Sequence, residues 1–180
     1  MSGATKLLTP GGGGVLLTPA SSIASDVIVN LPTAVNGATL AVNGPAFGVW
    51  QASAQSISNN TATKILFDTV EFDTNNNFSG SRFTPTVAGY YQINGSLQIA
   101  ATGTYFLVAY LYKNGNIVRS GPLINANVSA FPTANVSSMV YMNGTTDYLE
   151  IYGFQFSGFT QNTGTSYYET YFNGSLVRAA

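Results

Sequence analysis

Residues 64–99, KILFDTVEFDTNNNFSGSRFTPTVAGYYQINGSLQI, constrain the fold of this 180-residue chain more than any other stretch. In the second half Tyr91, Ile93, Leu97 and Ile99 alternate with Gln92, Asn94, Ser96 and Gln98. Alternation with a period of 2 places every apolar side chain on one face, as a half-buried strand requires. A slip of one residue would turn that whole set to water, so the register is strongly specified. The first half predicts a strand from Ile65 to Phe72, broken at Asn75-Asn76-Asn77. The chain resumes at Phe83-Thr84 and turns around Pro85 and Gly89.

The rest reads as further strands. Phe47–Ala52 is the first and holds the only Trp, Trp50; Ser53–Thr63 is a polar loop. Tyr105–Lys113 is apolar on both faces, with Leu107, Ala109 and Leu111 on one and Phe106, Val108, Tyr110 and Tyr112 on the other. Such a strand is buried on both sides, or it covers a sandwich while facing a neighbouring subunit. Asn114-Gly115 is a hairpin turn. Strands follow at Asn116–Arg119, more weakly from Pro122 to Val128, then at Val136–Met142, Asp147–Phe156 and Tyr167–Val177, with a loop over Ser157–Ser166. Helical periodicity is absent. Recurring strands with turn signals between them predict a sandwich or barrel.

Composition narrows the chemistry. Only 7% of residues are charged, against about 25% in ordinary domains. With a net charge of −1 and no basic run, there is no electrostatic footprint for nucleic acid or an anionic membrane. No charge lies between Arg82 and Lys113, or between Arg119 and Asp147. Interface cores are depleted of charge and rich in aromatics, so self-association is expected. Cys and His are both absent. That rules out disulfides and removes the usual general base, which argues against Ser-His-Asp or Cys-His enzymes. Met1–Lys6 does not resemble the start of a secretory signal, and no apolar run approaches the ~18 residues of a membrane span. A soluble product made in the cytosol, with no membrane insertion, is the expectation.

Residues 1–46 differ from the remainder. After Gly11–Gly14 come the short apolar runs Val15–Leu17, Val27–Leu31 and Thr39–Val42, each bounded by Pro, Gly or Asn-Gly. They read as three or four short strands, too few for a core of their own. Two readings stand: an attachment segment that docks on, or intertwines with, other chains, or a flexible leader or loosely packed edge of the main domain.

Several motifs over residues 46–180 resemble the C1q-like globular domain. They are Phe67-Asp68, Val70–Asp73, Phe78, Phe83-Thr84-Pro85 with Gly89-Tyr90-Tyr91-Gln92-Ile93, and Leu111-Tyr112-Lys113-Asn114-Gly115. Asp147–Ile151 and the closing Phe172-Asn173-Gly174-Ser175-Leu176-Val177 complete the set. Asn143–Asp147 departs from the Gly-Asp pair that the family often has there. The resemblance implies an all-β, ten-stranded C1q/TNF-like jelly-roll sandwich, assembled as a homotrimer and acting in recognition, with no catalysis. The preceding segment resembles the Gly-rich, Thr-Pro and Leu-Pro punctuated β segments of bacteriophage fibre proteins. Together these imply a virion protein with residues 1–46 as its attachment to other virion proteins and 47–180 as the knob. Adhesion to a host-surface glycan or protein is then the expected function. A capsid-decorating or stabilising protein is the alternative.

Asp68, Glu71 and Asp73 form the acidic cluster. In a strand Glu71 and Asp73 share a face and Asp68 takes the other. Three readings compete: a glycoside-hydrolase pair, a calcium site using Asp73 with Asn75–Asn77, or solvated strand-end charges. No cofactor other than that calcium is expected. Among the aromatics, Tyr91, Phe106, Tyr110, Tyr168 and Phe172 are assigned to the core or the trimer interface. Phe159, Thr160, Gln161 and Asn162, in a polar loop on a β scaffold, are the receptor-loop expectation.

Overall fold

The structure is a computed structural model and describes residues 5–8, 14–17, 44–100, 103–127 and 131–180. The chain divides into two compact units, Met1–Ala41 and Val42–Ala180. In the first, β1 (Thr5–Leu8) and β2 (Gly14–Leu17) form an antiparallel pair with Thr5 opposite Leu17. The strands expected at Val27–Leu31 and Thr39–Val42 lie outside the described residues.

The second unit contains β3 (Ala46–Trp50), β4 (Ser56–Ile57), β5 (Thr63–Lys64), β6 (Thr69–Asp73), β7 (Phe78–Ser79), β8 (Arg82–Phe83) and β9 (Gly89–Gln98). It continues with β10 (Thr104–Lys113), β11 (Asn116–Ser120), β12 (Ile124–Asn127), β13 (Thr133–Met142), β14 (Leu149–Phe156), β15 (Gln161–Asn162) and β16 (Tyr171–Ala179). A five-stranded sheet has the order β13-β9-β16-β3-β6. A seven-stranded sheet has the order β11-β10-β14-β8-β7, with β12 on β10 and β5 on β14. The chain crosses repeatedly between the two sheets, and every pairing within them is antiparallel. That is the jelly-roll solution for closing an antiparallel sandwich. The described residues contain no helix.

The core forms where the alternating strands face each other. Tyr91, Ile93 and Leu97 from β9 meet Leu107, Ala109 and Leu111 from β10 and Leu149 and Ile151 from β14, all at 0% exposure. Each large side chain so buried contributes about 1.5–3 kcal/mol. The outward face of β10 carries Phe106, Val108, Tyr110 and Tyr112, which lie opposite Phe156, Phe154, Tyr152 and Glu150 of β14. These rings shield each other, as in the Tyr112–Tyr152 stack at 3.9 Å between centroids. The two-faced pattern of β10 therefore comes from one core face and one aromatic outer face.

Tyr91 is fully buried, and its hydroxyl donates to the Val87 carbonyl at 2.8 Å. Burial pushes the phenol up to about 12. The folded state thus holds this proton more tightly than the unfolded chain, whose tyrosine titrates near 10. The stabilisation is complete below about pH 10 and is lost as pH rises through the folded value. Denaturant unfolding between neutral pH and pH 12 is expected to show this loss. Tyr91→Phe should start lower at neutral pH, by about 1 kcal/mol for the missing hydrogen bond, and should fall less steeply above pH 10.

Three expected boundaries move. The strand Ile65–Phe72 is broken: β5 pairs with β14 in one sheet and β6 with β3 in the other, so Ile65–Asp68 crosses between them. Its amides find partners on the way, Ile65 N–H on the Ile151 carbonyl at 2.9 Å, Leu66 N–H on Gln55 Oε1 at 2.9 Å and Phe67 N–H on Ser81 Oγ at 2.8 Å. The closing strand starts at Tyr171, because Tyr167–Thr170 is a turn in which Glu169 and Thr170 N–H both donate to the Ser166 carbonyl. The loop Ser157–Ser166 contains β15, paired with β4 out of the expected Ser53–Thr63 loop.

Candidate functional site

At one end of the sandwich lies a cleft of about 370 Å³ lined by Gln98, Ala100, Phe131, Asn162, Thr163, Gly164, Thr165 and Glu169. Its parts come from distant places in the chain. The Ala100 N–H donates to the Asn162 carbonyl at 3.1 Å, and the Gly164 N–H to the Gln98 carbonyl at 2.9 Å. Thr163 is fixed twice to Gln55, its N–H donating to the Gln55 carbonyl and its hydroxyl accepting the Gln55 N–H, both at 2.9 Å. The end of β9 and the segment after β15 are therefore held in a fixed relation.

The polar groups in the cleft are preset. Glu169 Oε2 accepts the Ser166 N–H at 3.0 Å, and the Gln98 amide donates to the Thr133 hydroxyl at 3.2 Å. Both side chains converge on Gly164, where an added Cβ would stand 2.7 Å from Glu169 Oε2 and 2.9 Å from Gln98 Oε1. Gly164 thus leaves room for these acceptors to face the cleft. Phe131 supplies an apolar wall and is 72% exposed. A carboxylate, amides and hydroxyls beside one exposed ring can hydrogen-bond a polyol and pack against its apolar face. No general base stands opposite Glu169 in this lining.

The expected receptor loop sits beside this cleft. Asn162 lines it, and its Oδ1 accepts the Ser56 hydroxyl at 2.9 Å. Gln161 belongs to β15, with its amide on Ser157 Oγ at 2.9 Å. Phe159 and Thr160 are exposed and do not line the cleft. The Phe159 carbonyl is held at 2.7 Å by the buried Gln155 amide, so the tip is anchored from within. Gln98, Phe131 and Glu169 carry no local motif: each is one polar or aromatic residue among many, and only the folded loops bring them together.

Asp68, Asp73 and Asp147 hold turns and the crossover, whereas Glu71 is exposed on β6 and makes none of these bonds. Asp73 Oδ1 and Oδ2 accept the Asn77 and Phe78 N–H groups at 3.0 and 2.8 Å. Asn75 Oδ1 accepts the Thr74 hydroxyl, and Asn77 Oδ1 the Thr86 N–H. These bonds shape the turn between β6 and β7. Asp68 lies in the crossover, so the strand-face argument for it does not apply. It accepts the Ala52 and Ser53 N–H groups at 2.6 and 2.9 Å. Desolvation raises its pKa, but these backbone bonds and those from the Ser53 and Thr69 side chains outweigh it, and the net shift is downward. Asp147 ties two hairpin turns together by accepting from Lys113 Nζ at 2.7 Å, Asn114 Nδ2 at 2.7 Å and the Asn143 N–H at 3.0 Å. Partial burial raises its pKa, and the bonds from Lys113, Asn114 and Asn143 with the Lys113 charge bring it below the usual value. The Asn143–Asp147 departure from the C1q-like pattern is thus a clamp on the Asn114-Gly115 hairpin.

Among the aromatics assigned to core or interface, Tyr91 and Phe172 are fully buried. Phe106 and Tyr110 lie on the outer face of the seven-stranded sheet, and Tyr168 is 65% exposed.

No protein-family model and no curated protein matches the sequence. Solved structures do match. The globular domain of zebrafish complement 1qA protein superposes with a TM-score of 0.55 at 18% identity, covering 76% of this chain and 99% of that one. Murine APRIL at pH 5.0 gives 0.57 at 9% identity, covering 75% and 100%. Eiger TNF from S. frugiperda gives 0.54 at 6% identity, covering 76% and 93%. With its two antiparallel sheets and its strand order, the chain carries a C1q/TNF-like jelly-roll fold.

Proposed function

We propose that this chain is a non-catalytic virion protein whose residues 47–180 work as a homotrimeric knob. In this reading residues 1–46 attach it to other virion proteins, and the knob binds a host-surface glycan in the cleft between Gln98 and Glu169. The cleft carries the proposal: an exposed ring, two amides, two hydroxyls and a carboxylate surround one depression. Rigid β scaffolds commonly hold recognition in such loop-built ends.

The homotrimer has separate support. The outward face of the five-stranded sheet is almost free of charge. Its centre is a hydrogen-bonded set of Gln92, Asn94, Ser137 and Asn173, with Gln92 Nε2 on Ser137 Oγ at 2.9 Å and Asn94 Nδ2 on Asn173 Oδ1 at 3.0 Å. Beside it Tyr90, Met139 and Tyr141 remain 43–50% exposed. Uncharged polar groups next to exposed large side chains are the composition of an interface core. The virion setting rests on the likeness of residues 1–46 to fibre segments.

The test is a glycan panel, including host surface polysaccharides, probed with the full chain. Binding is expected, and Phe131→Ala and Glu169→Gln should each weaken it at least about tenfold, as truncation of a central contact does. Binding that both variants retain would move the site elsewhere. A panel with no binder would overturn the adhesion reading.

A further inference from the structure

Charge pairing among the described residues leaves Glu71, on β6 of the five-stranded sheet, and Arg119, on β11 at the edge of the seven-stranded sheet, outside every ion pair. Among the described residues, Lys64 and Arg82 share Glu150, and Lys113 pairs with Asp147. Asp68, Asp73 and Glu169 accept backbone N–H groups. Glu71 is exposed on β6 and takes part in none of these bonds or ion pairs. Arg119 is exposed, and its guanidinium donates only to Ser138 Oγ at 3.0 Å and to the Val118 carbonyl at 2.7 Å. Arg178, which among the described residues also stands outside these ion pairs, lies opposite Tyr90 towards the end of β16.

Glu71 lies on β6, one edge of the five-stranded sheet, and the Arg119 guanidinium reaches from β11 of the seven-stranded sheet to Ser138 on β13, the opposite edge. The register runs Phe72, Gly48, Asn173, Asn94, Ser137 across β6, β3, β16, β9 and β13. Glu71 precedes Phe72 at the bulge opposite Gly48 and Val49. Ser138, which holds the Arg119 guanidinium, follows Ser137. Four strand spacings separate the two edges, about 19 Å, so the two charges cannot meet within one protomer.

Glu71 also stands in a pocket. A depression of about 180 Å³ is lined by Gly48, Trp50, Phe72, Tyr167, Tyr171 and Asn173 together with Val49 and Glu71. The Phe72 ring lies over Gly48, where a Cβ would stand 2.6 Å from its Cε1, so the glycine forms a floor for the aromatic walls. Aromatic walls with one carboxylate suit a guanidinium: the ring faces attract the cation, its planar surface stacks on them, and the carboxylate supplies the counter-charge.

We propose that Arg119 of one copy enters the Trp50–Phe72–Tyr167–Tyr171 pocket of the next copy and pairs there with Glu71. A donor at one edge and an acceptor at the other, at the same height, make a head-to-tail contact. Repeated around an axis, such a contact closes into a ring. The inference rests on the homotrimer reading above and assigns its seam. The trimer then contains three such contacts, each completed by a residue from the neighbouring copy.

Full-length protein is diluted and followed by light scattering, with the emission of Trp50, the only tryptophan, as the local probe. The wild type is expected to be a trimer whose Trp50 emission shifts red on dissociation, at lower dilution in high salt. Arg119→Glu and Glu71→Arg should each raise the half-dissociation concentration at least about tenfold, in the range of close interfacial charge pairs. The double variant R119E/E71R should recover much of that loss. Both residues are exposed, so thermal unfolding of the variant protomers should match the wild type. A wild type that is monomeric at every concentration overturns the homotrimer reading and the seam with it. A trimeric wild type with unaltered single variants, or a double variant as weak as the singles, overturns the seam and leaves the homotrimer standing.

Discussion

Phe47→Ala is expected to lower the stability of the knob by about 3–5 kcal/mol, the usual cost of emptying a ring from a packed core. The melting temperature should fall by on the order of 10 °C in a domain of this size. Phe47 is fully buried and touches rings from both sheets. It stacks on Phe83 at 4.1 Å and on Phe78 at 5.6 Å, both from the seven-stranded sheet, and meets Phe172 edge-on at 4.8 Å within its own sheet. Rigid rings on three sides cannot collapse into the space, so both the transfer and cavity contributions apply. Phe159→Ala is the control, because that ring is 73% exposed. It should change stability by less than about 0.5 kcal/mol. Equal losses for the two variants in denaturant titrations would remove the Phe47 cluster as the junction of the sheets.

Lys64→Met with Arg82→Met is expected to cost about 3–5 kcal/mol at neutral pH, because it leaves a carboxylate buried without a counter-charge. The Glu150 side chain is only 3% exposed, and its Oε1 receives Lys64 Nζ at 2.7 Å and Arg82 Nη2 at 3.0 Å. The Arg82 guanidinium also covers the Tyr148 ring at 3.7 Å. Arg82→Met alone should cost much less, since Lys64 remains and Arg82 is 43% exposed. The informative variant is the triple one with Glu150→Met. Replacing a whole buried ion group by apolar side chains is often close to neutral, so the triple should regain most of what the double lost. A triple as unstable as the double, in the same denaturant titration, would mean that the long side chains act through packing and not through charge.

Much of the fold was legible in the residues. The alternation from Tyr91 to Ile99 places Tyr91, Ile93, Leu97 and Ile99 in the core, and Asn114-Gly115 forms the turn between β10 and β11, with Asn114 at φ 52° and Gly115 at φ 79°. These are local properties: a period-2 pattern defines a face, and a turn sequence defines a backbone conformation. The crossover at Ile65–Asp68 was not legible. Its residues have good strand character, yet consecutive short strands pair with different sheets, and side chains from Gln55 and Ser81 take the backbone bonds that a continuous strand would have made. The cleft was half legible. A polar loop pointed to Asn162, whereas Gln98, Phe131 and Glu169 needed the closure of segments far apart in sequence.

By itself, the sequence determined an all-β sandwich with a charge-poor surface, because periodicity, turn chemistry and composition act at short range and are written directly in the residues. Only the tertiary structure decided which strands share a sheet, which oxygens line the cleft, and that Glu71 lies at one edge of the five-stranded sheet while Arg119 reaches the opposite edge from the neighbouring sheet. Those relations depend on long-range register, and register comes from packing two sheets against each other, which no local stretch of the chain encodes.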